Sequence, residues 1–215
     1  MDKKKPFFIV FEGIEGCGKS YQGKKLYNRF KKKGISTVLT REPGGTKSSE
    51  LIRNLILKDY FTKDSKEKFD KYTDTLLYLA ARNEHIKNKI KPALLKKKVV
   101  ICDRFIDSTL AYQVYGKKVE LNFIKNINKK ILQGIKPNIV FVLKVSKQSS
   151  RRRLKKRKNK NRYDNFVQSF YNKAQNSFIR IAKNKKNYFI LDSSSNDSSL
   201  EHKIFGICKK YLNIK

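Results

Sequence analysis

The chain has 215 residues and a mass of 25.2 kDa, a length that one globular unit can fill while burying roughly 70% of the surface exposed by its unfolded form. Apolar residues make up 39% of it and come in short runs, far below the ~20 consecutive positions a membrane-spanning helix needs, so a membrane partner is excluded as an expectation. A formal charge of +34 and a pI near 10.1 raise nucleic acid as a partner, but the basic residues are scattered and only 11 of the 52 are Arg, the usage expected of an A+T-rich coding sequence. Weak, salt-sensitive binding to polyanions follows from either reading, and no specific nucleic-acid partner is expected.

In chain order, the N-terminal MDKKKP runs into FFIVFE (7–12), an apolar run of strand length ending in Glu12 rather than a signal-peptide core. The expectation is a cytoplasmic protein, and Cys17, Cys102 and Cys208, far apart and without a C-x-x-C pair, agree with reduced thiols. GIEGCGKS (13–20) follows at once and satisfies G-x-x-x-x-G-K-[ST] between a strand and a helix. Gly13, Gly16 and Gly18 let the backbone curl so that its N–H groups, with those of Ile14, Glu15, Cys17 and Tyr21, face phosphates. Lys19 reaches the β- and γ-phosphates of ATP, and the Ser20 hydroxyl binds Mg²⁺.

A helix over 18–33 is closed by Gly34, and STVLT (36–40) reads as the second strand. Helices are predicted near 47–58 and 70–90, then the strand VVICD (99–103), which ends in Asp103-Arg104 at the sheet edge where open α/β sheets bind ligands. Asp103 there can join Ser20 around Mg²⁺, and Arg104 can hold a second phosphate. Helices near 106–115, 119–133, 146–158, 164–184 and 199–212 alternate with the strands NIVFVL (138–143) and NYFIL (187–191). Alternation of this kind predicts an α/β fold with a five-stranded parallel sheet flanked by helices. The run RRRLKKRKNKNR (151–162) is dense in like charge and is expected to be mobile and solvated until an anion orders it. Neither D-x-x-G nor N-K-x-D occurs, so the groups with which a GTPase senses γ-phosphate and reads guanine are missing.

FEGIEGCGKS (11–20), TREPGGT (40–46), LLYLAAR (76–82), CDRFIDSTLAYQ (102–113) and NRYD (161–164) together resemble bacterial thymidylate kinases, in the same order and over nearly the whole chain. The resemblance implies a three-layer P-loop kinase domain spanning 1–215 with a lid at about 148–163. It also implies homodimerisation, and transfer of the γ-phosphate of ATP to dTMP with Mg²⁺. Residue by residue, it makes Tyr78 the aromatic stacked on thymine and Arg82 the arginine that hydrogen-bonds the base, the two sharing a helix face at i,i+4. Arg53 and Arg104 match holders of the dTMP phosphate, for which a bidentate fork suits, Glu15 matches the carboxylate on the sugar 3′-OH, Thr109 and Gln113 contact the base, and Tyr112 crowds the 2′ carbon. Glu42-Pro43 forms a turn that shapes the acceptor pocket.

Tyr21 and Lys144 depart from the family pattern, and Gly16 stands where one branch has a catalytic arginine, so that charge is expected from the lid. Catalytic assignments are therefore Lys19, Asp103, Arg157 and Arg153, with Arg162 as a lid anchor. Two rivals remain on the residues alone. Another P-loop deoxynucleotide kinase would lack the combination of REPGGT and AYQ, and a basic nucleic-acid-binding ATPase would interleave basic residues with aromatics.

Overall fold

A computed structural model describes residues 5–58, 67–157, 168–195 and 198–214. Five strands, β1 (Phe7–Glu12), β2 (Thr37–Arg41), β3 (Val99–Asp103), β4 (Ile139–Lys144) and β5 (Tyr188–Asp192), make one sheet in the order β2-β3-β1-β4-β5. Every pairing is parallel, so all the strands end at one edge. The middle of the sheet is covered on both faces, which is why β1 and most of β4 are continuous apolar runs instead of alternating ones. Phe11 stacks on Phe141 at 5.2 Å between ring centroids, and Phe8 meets Phe105 edge-on at 5.0 Å. These rings join Ile9, Ile101 and Phe178 in the core.

The flanking helices are α1 (Lys19–Lys32), α2 (Lys47–Leu57), α3 (Lys71–His85), α4 (Lys91–Leu95), α5 (Ile106–Thr109), α6 (Leu121–Leu132), α7 (Lys147–Lys155), α8 (Gln168–Ala182) and α9 (Ser199–Leu212). Thr46 starts α2 with a capping box closed by Ser49, and Asp70 starts α3 by accepting from the backbone N–H groups of Tyr72 and Thr73. All five predicted strands and the alternation are present, with boundaries shifted by a residue.

Two helical expectations need correction. The helix predicted over 70–90 does not stop before Pro92, because a π-helical turn at Ile86–Ile90 joins α3 to α4. In a regular helix the proline ring would strike the carbonyl four residues back, and the wider i→i−5 turn relieves that clash. Likewise the stretch 106–115 is the short α5 followed by π-helix at Leu110–Gly116, which turns Tyr112 and Gln113 inward, both buried. Of the basic run 151–162, residues 151–155 belong to α7 and Lys156 and Arg157 follow it, while residues 158–162, including Arg162, and the rest of NRYD lie outside the described residues. No described helix is long and apolar enough to cross a membrane, and the three cysteines are free and buried.

Candidate active site

β1 is buried along its whole length and delivers the chain into the glycine-rich loop at the C-terminal edge of the sheet. Gly13 has φ +137°, and a Cβ on it would lie 2.6 Å from the Leu143 carbonyl oxygen; Gly16 has φ +73°, and a Cβ there would lie 2.8 Å from the Ser150 carbonyl oxygen. Neither position admits a side chain. α7 causes the second restriction: the Ser150 hydroxyl donates to the Glu15 carbonyl at 2.9 Å. Gly18 caps α1 in a left-handed conformation with no side chain bonded to the helix N-terminus, so the first-turn N–H groups are left for an anion. Lys19 is buried and folds back inside the loop, its Nζ donating to the Ile14 carbonyl at 2.8 Å and lying 3.6 Å from Cys17 Sγ.

The Ser20 hydroxyl donates to Asp103 Oδ2, and the other carboxylate oxygen, Oδ1, is buried without a hydrogen-bond partner. Two hard oxygen donors at a phosphate-binding loop, one with an unused lone pair, fit Mg²⁺, which takes one or two protein oxygens and fills its shell from phosphates and water. Among the described residues no group of three His, Cys, Asp or Glu side chains gathers elsewhere to hold a metal.

Arg104 follows Asp103 with φ +72°, a left-handed conformation uncommon outside glycine. Its Nη1 donates to the Gly13 carbonyl at 2.9 Å and to Ser108 Oγ at 3.1 Å, and its Nη2 donates to Glu15 Oε1 at 2.6 Å. The other Glu15 oxygen accepts from the Tyr112 hydroxyl at 2.6 Å. Burial and then the Glu15 carboxylate push the Tyr112 phenol well above its ordinary range, so it remains a donor. Behind this pair sits Glu12, fully buried, accepting from the Phe105 N–H at 2.8 Å, the Ser108 N–H at 3.2 Å and the Ser108 hydroxyl at 2.6 Å. Burial, reinforced by Asp107 nearby, pushes the Glu12 carboxyl up to about 7.

The turn from β2 into α2 carries the REPGGT motif, and its residues set two further arginines. Glu50 accepts from Arg41 Nη2 at 3.0 and 3.1 Å and from the Gly45 N–H at 2.8 Å, while Arg53 Nη1 donates to the Pro43 carbonyl at 2.6 Å. The Glu42-Pro43 peptide is cis. Glu42 Oε2 accepts from Arg82 Nε at 2.8 Å; Arg82 Nη2 donates to the Phe105 carbonyl and to Thr109 Oγ1, each at 2.9 Å, and Nη1 donates to Asn128 Oδ1 at 3.3 Å. A guanidinium has five N–H groups, so these contacts leave one Nη1–H. Gln113 Nε2 is buried without a partner.

One cavity of about 610 Å³ collects these side chains. Of the residues singled out from sequence, Glu15, Gly16, Gly18, Lys19, Ser20, Tyr21, Arg53, Tyr78, Arg82, Asp103, Arg104, Thr109, Tyr112, Gln113, Arg153 and Arg157 line it. Gly13, Ile14 and Cys17 do not, and form the inner side of the loop, where the first two offer carbonyls to Arg104 and Lys19. Arg153 donates through Nη1 to the Gly16 carbonyl at 3.2 Å and through Nη2 to the Ser193 and Ser195 carbonyls at 2.7 and 3.1 Å, whereas Arg157 is exposed at the mouth. Sequence reasoning missed Arg41, Phe105 and Ser108 in the wall and Glu12 and Glu50 behind it. Phe105 and Ser108 were within reach, since they belong to the DRF-x-x-S motif; the role of Glu12 had no local signal.

A family model described as thymidylate kinase matches residues 11–204. A thymidylate kinase of Wolbachia sp. subsp. Brugia malayi (strain TRS) is 44% identical over 181 residues, covering 83% of this chain and 82% of that protein. One from Sulfurihydrogenibium sp. (strain YO3AOP1) is 37% identical over 198 residues, 92% of this chain and 94% of the relative. The crystal structure of thymidylate kinase from Ehrlichia chaffeensis superposes with a TM-score of 0.73 at 30% identity, covering 95% of this chain and 99% of that one.

The buried Glu12 makes stability depend on pH in a defined direction. Its carboxyl titrates near 7 in the folded protein against an ordinary 4.5, so the folded state retains a proton that the unfolded state has lost between those values. The contribution is fully present below about pH 4.5 and is lost as pH rises through 7, on the order of 3 kcal/mol. Urea unfolding from pH 4.5 to 8 is expected to give a falling stability in the wild type and a smaller decline in Glu12→Gln, the residue being due to Asp107, whose carboxyl burial also raises.

Proposed function

The chain belongs to the thymidylate kinase family, and on that premise we propose how its own residues carry out the reaction, transfer of the γ-phosphate of ATP to dTMP. The observation that carries the reading is the single cavity that joins the P-loop to Arg53, Tyr78, Arg82 and Arg104, room for a phosphate donor and an acceptor nucleotide to meet. The loop N–H groups and Lys19 bind the β- and γ-phosphates. When bound beside Ser20 and Asp103, Mg²⁺ supplies charge neutralisation on those phosphates. Arg53 and Arg104 hold the acceptor phosphate, already an anion at neutral pH, so no general base is needed. Tyr78 covers one face of the thymine.

The remaining Arg82 N–H and the unpartnered Gln113 amide are donors, which suits the carbonyls of a pyrimidine with a keto group at C4 and rejects the amino group of cytosine. Each Glu15 oxygen keeps a lone pair for the sugar 3′-OH, and the buried Tyr112 ring crowds a 2′-hydroxyl. The lid, about 148–163 within one catalytic unit spanning the chain, closes over the donor. The chain acts in the cytoplasm, and its lysines need no nucleic-acid partner. A panel of nucleoside monophosphates in a coupled ADP-release assay should rank dTMP first, dUMP weaker, and dCMP and ribonucleotides poor by kcat/KM, with Lys19→Ala and Asp103→Ala each inactive though folded. A purine or dCMP preferred over dTMP would overturn the assignment.

Arg153 and Arg157 are the described lid arginines that line the cavity, and they differ in their surroundings. Arg153 bonds to backbone carbonyls, which makes it a positioning residue that joins α7 to the loop, while Arg157 faces the mouth of the cavity. Arg157 is the better candidate for the charge that Gly16 cannot supply. Arg157→Ala should lower kcat by roughly 100-fold or more with dTMP KM within about twofold. Arg153→Ala should instead raise the KM for ATP and lower the melting temperature.

Leu51 and Leu55, one turn apart on α2, are 70% and 44% exposed, and Leu76 on the neighbouring α3 is 46% exposed. We assign this apolar face to a second copy of the chain, as homodimerisation requires. Leu51→Arg with Leu55→Arg should yield a monomer by light scattering, against a dimer for the wild type.

A further inference from the structure

His85 takes no part in the reaction as described above, does not line the cavity, and is 0% exposed. It closes α3, three residues after Arg82, so the two side chains lie on one face of that helix. Glu42, in the turn between β2 and α2, meets both of them, with Oε2 accepting from Arg82 Nε at 2.8 Å and Oε1 lying 3.2 Å from His85 Nδ1. The far ring nitrogen, Nε2, is 2.6 Å from Thr40 Oγ1. A carboxylate already paired with an arginine only accepts, so Nδ1 carries a proton and donates to Glu42, and Nε2 shares a hydrogen bond with the Thr40 hydroxyl. Thr40, Glu42, Arg82 and His85 are all buried, and water cannot replace a lost member of the chain cheaply.

The backbone is shaped around this contact. Gly45 has φ +95°, and a Cβ on it would lie 2.5 Å from Thr40 Oγ1 and 2.7 Å from His85 Nε2, so its glycine is what lets the turn close over the pair. Burial acts to raise the Glu42 carboxyl, but Arg82 and His85 outweigh it and hold the group below its ordinary value. Arg82 meets Glu42 through a single N–H, and one such bond leaves the carboxylate free to swing about its own χ angles. The second oxygen, bonded to the same helix through His85, removes that freedom.

We infer that His85 is a positioning residue for the acceptor base: by fixing Glu42 it fixes the Arg82 guanidinium, and so the direction of its one remaining N–H into the cavity. The inference rests on the reading of Arg82 as the base contact. It names His85, Thr40 and Gly45 as residues that tune nucleobase affinity without touching the nucleotide.

Steady-state kinetics on His85→Leu, His85→Gln, Thr40→Val and Arg82→Lys, and on each of the first three combined with Arg82→Lys, separate the cases. Arg82→Lys keeps the charge beside Glu42 but loses the fork, and should raise the dTMP KM strongly. His85→Leu should raise the dTMP KM about tenfold with kcat and the KM for ATP within about twofold, the split expected when only acceptor binding is lost. His85→Gln, which can donate to Glu42 and accept from Thr40, should restore most of the affinity, and Thr40→Val should raise the KM about threefold. In the Arg82→Lys background these effects should shrink to less than twofold.

An unchanged dTMP KM in His85→Leu, an equal rise in the KM for ATP, or effects that multiply with Arg82→Lys would overturn the proposal. If His85→Leu does not fold, Thr40→Val and His85→Gln carry the same cycle, with multiplicative effects again deciding against it. A normal dTMP KM in Arg82→Lys removes the base contact itself, whereas a raised KM there with no effect of the His85 variants removes only the inference about His85.

Discussion

A carboxylate at the end of a fully buried strand needs donors that water cannot provide, and in this protein that requirement organises the site. Glu12 ends β1 in the middle of the sheet, and its donors are the backbone N–H groups of Phe105 and Ser108 and the Ser108 hydroxyl. Meeting them draws the segment after β3 across the top of β1. Arg104, pinned at positive φ, then lands against the P-loop carbonyl of Gly13 and the Glu15 carboxylate. The glycine-rich loop and the arm that carries Arg104 are thus fastened to one buried group. Its raised titration point records the cost of holding a carboxylate out of water.

The same device recurs around the cavity. In a chain carrying only 18 acidic residues against 52 basic ones, three of the acids each bind an arginine of the site: Glu15 holds Arg104, Glu42 holds Arg82 and Glu50 holds Arg41 and Arg53. Such ion pairs add little net stability, because desolvation offsets much of the attraction where they are buried, as at Glu42–Arg82 and Glu15–Arg104, and solvent screens it where they are exposed, as at Glu50–Arg41. Their effect is geometric. Guanidinium groups that would repel one another in a pocket awaiting phosphates are kept in place before any nucleotide arrives, which lowers the reorganisation needed to bind and react.

The donor side is built differently. α7 packs on the P-loop through Ser150 and Arg153, closely enough that a Cβ at residue 16 would meet the Ser150 backbone. An arginine within the loop and this packing of α7 exclude each other, which gives a physical reason for finding glycine at residue 16 and basic side chains in the helix beyond it.

Much of this was legible in the sequence wherever the signal is local. Apolar runs gave strand positions to within a residue, the glycine spacing of GIEGCGKS marked the loop, and the i,i+4 relation of Tyr78 and Arg82 put both on one helix face; most of the singled-out residues do line one cavity. The helix expected near 70–90 runs on through Pro92, because a π-helical turn removes the clash that a proline makes in a regular helix. Pairings distant in sequence were beyond local pattern. Glu12 meets Phe105 across 93 positions, Glu42 meets His85 across 43, and Arg153 reaches Gly16 across 137. The residue types alone determined that the chain has a phosphate-binding loop followed by cationic side chains. Which carboxylate holds which cation depends on the order β2-β3-β1-β4-β5, since strand neighbours in a parallel sheet are chosen by crossovers, and only their packing brings a buried acid and its donors within hydrogen-bond reach.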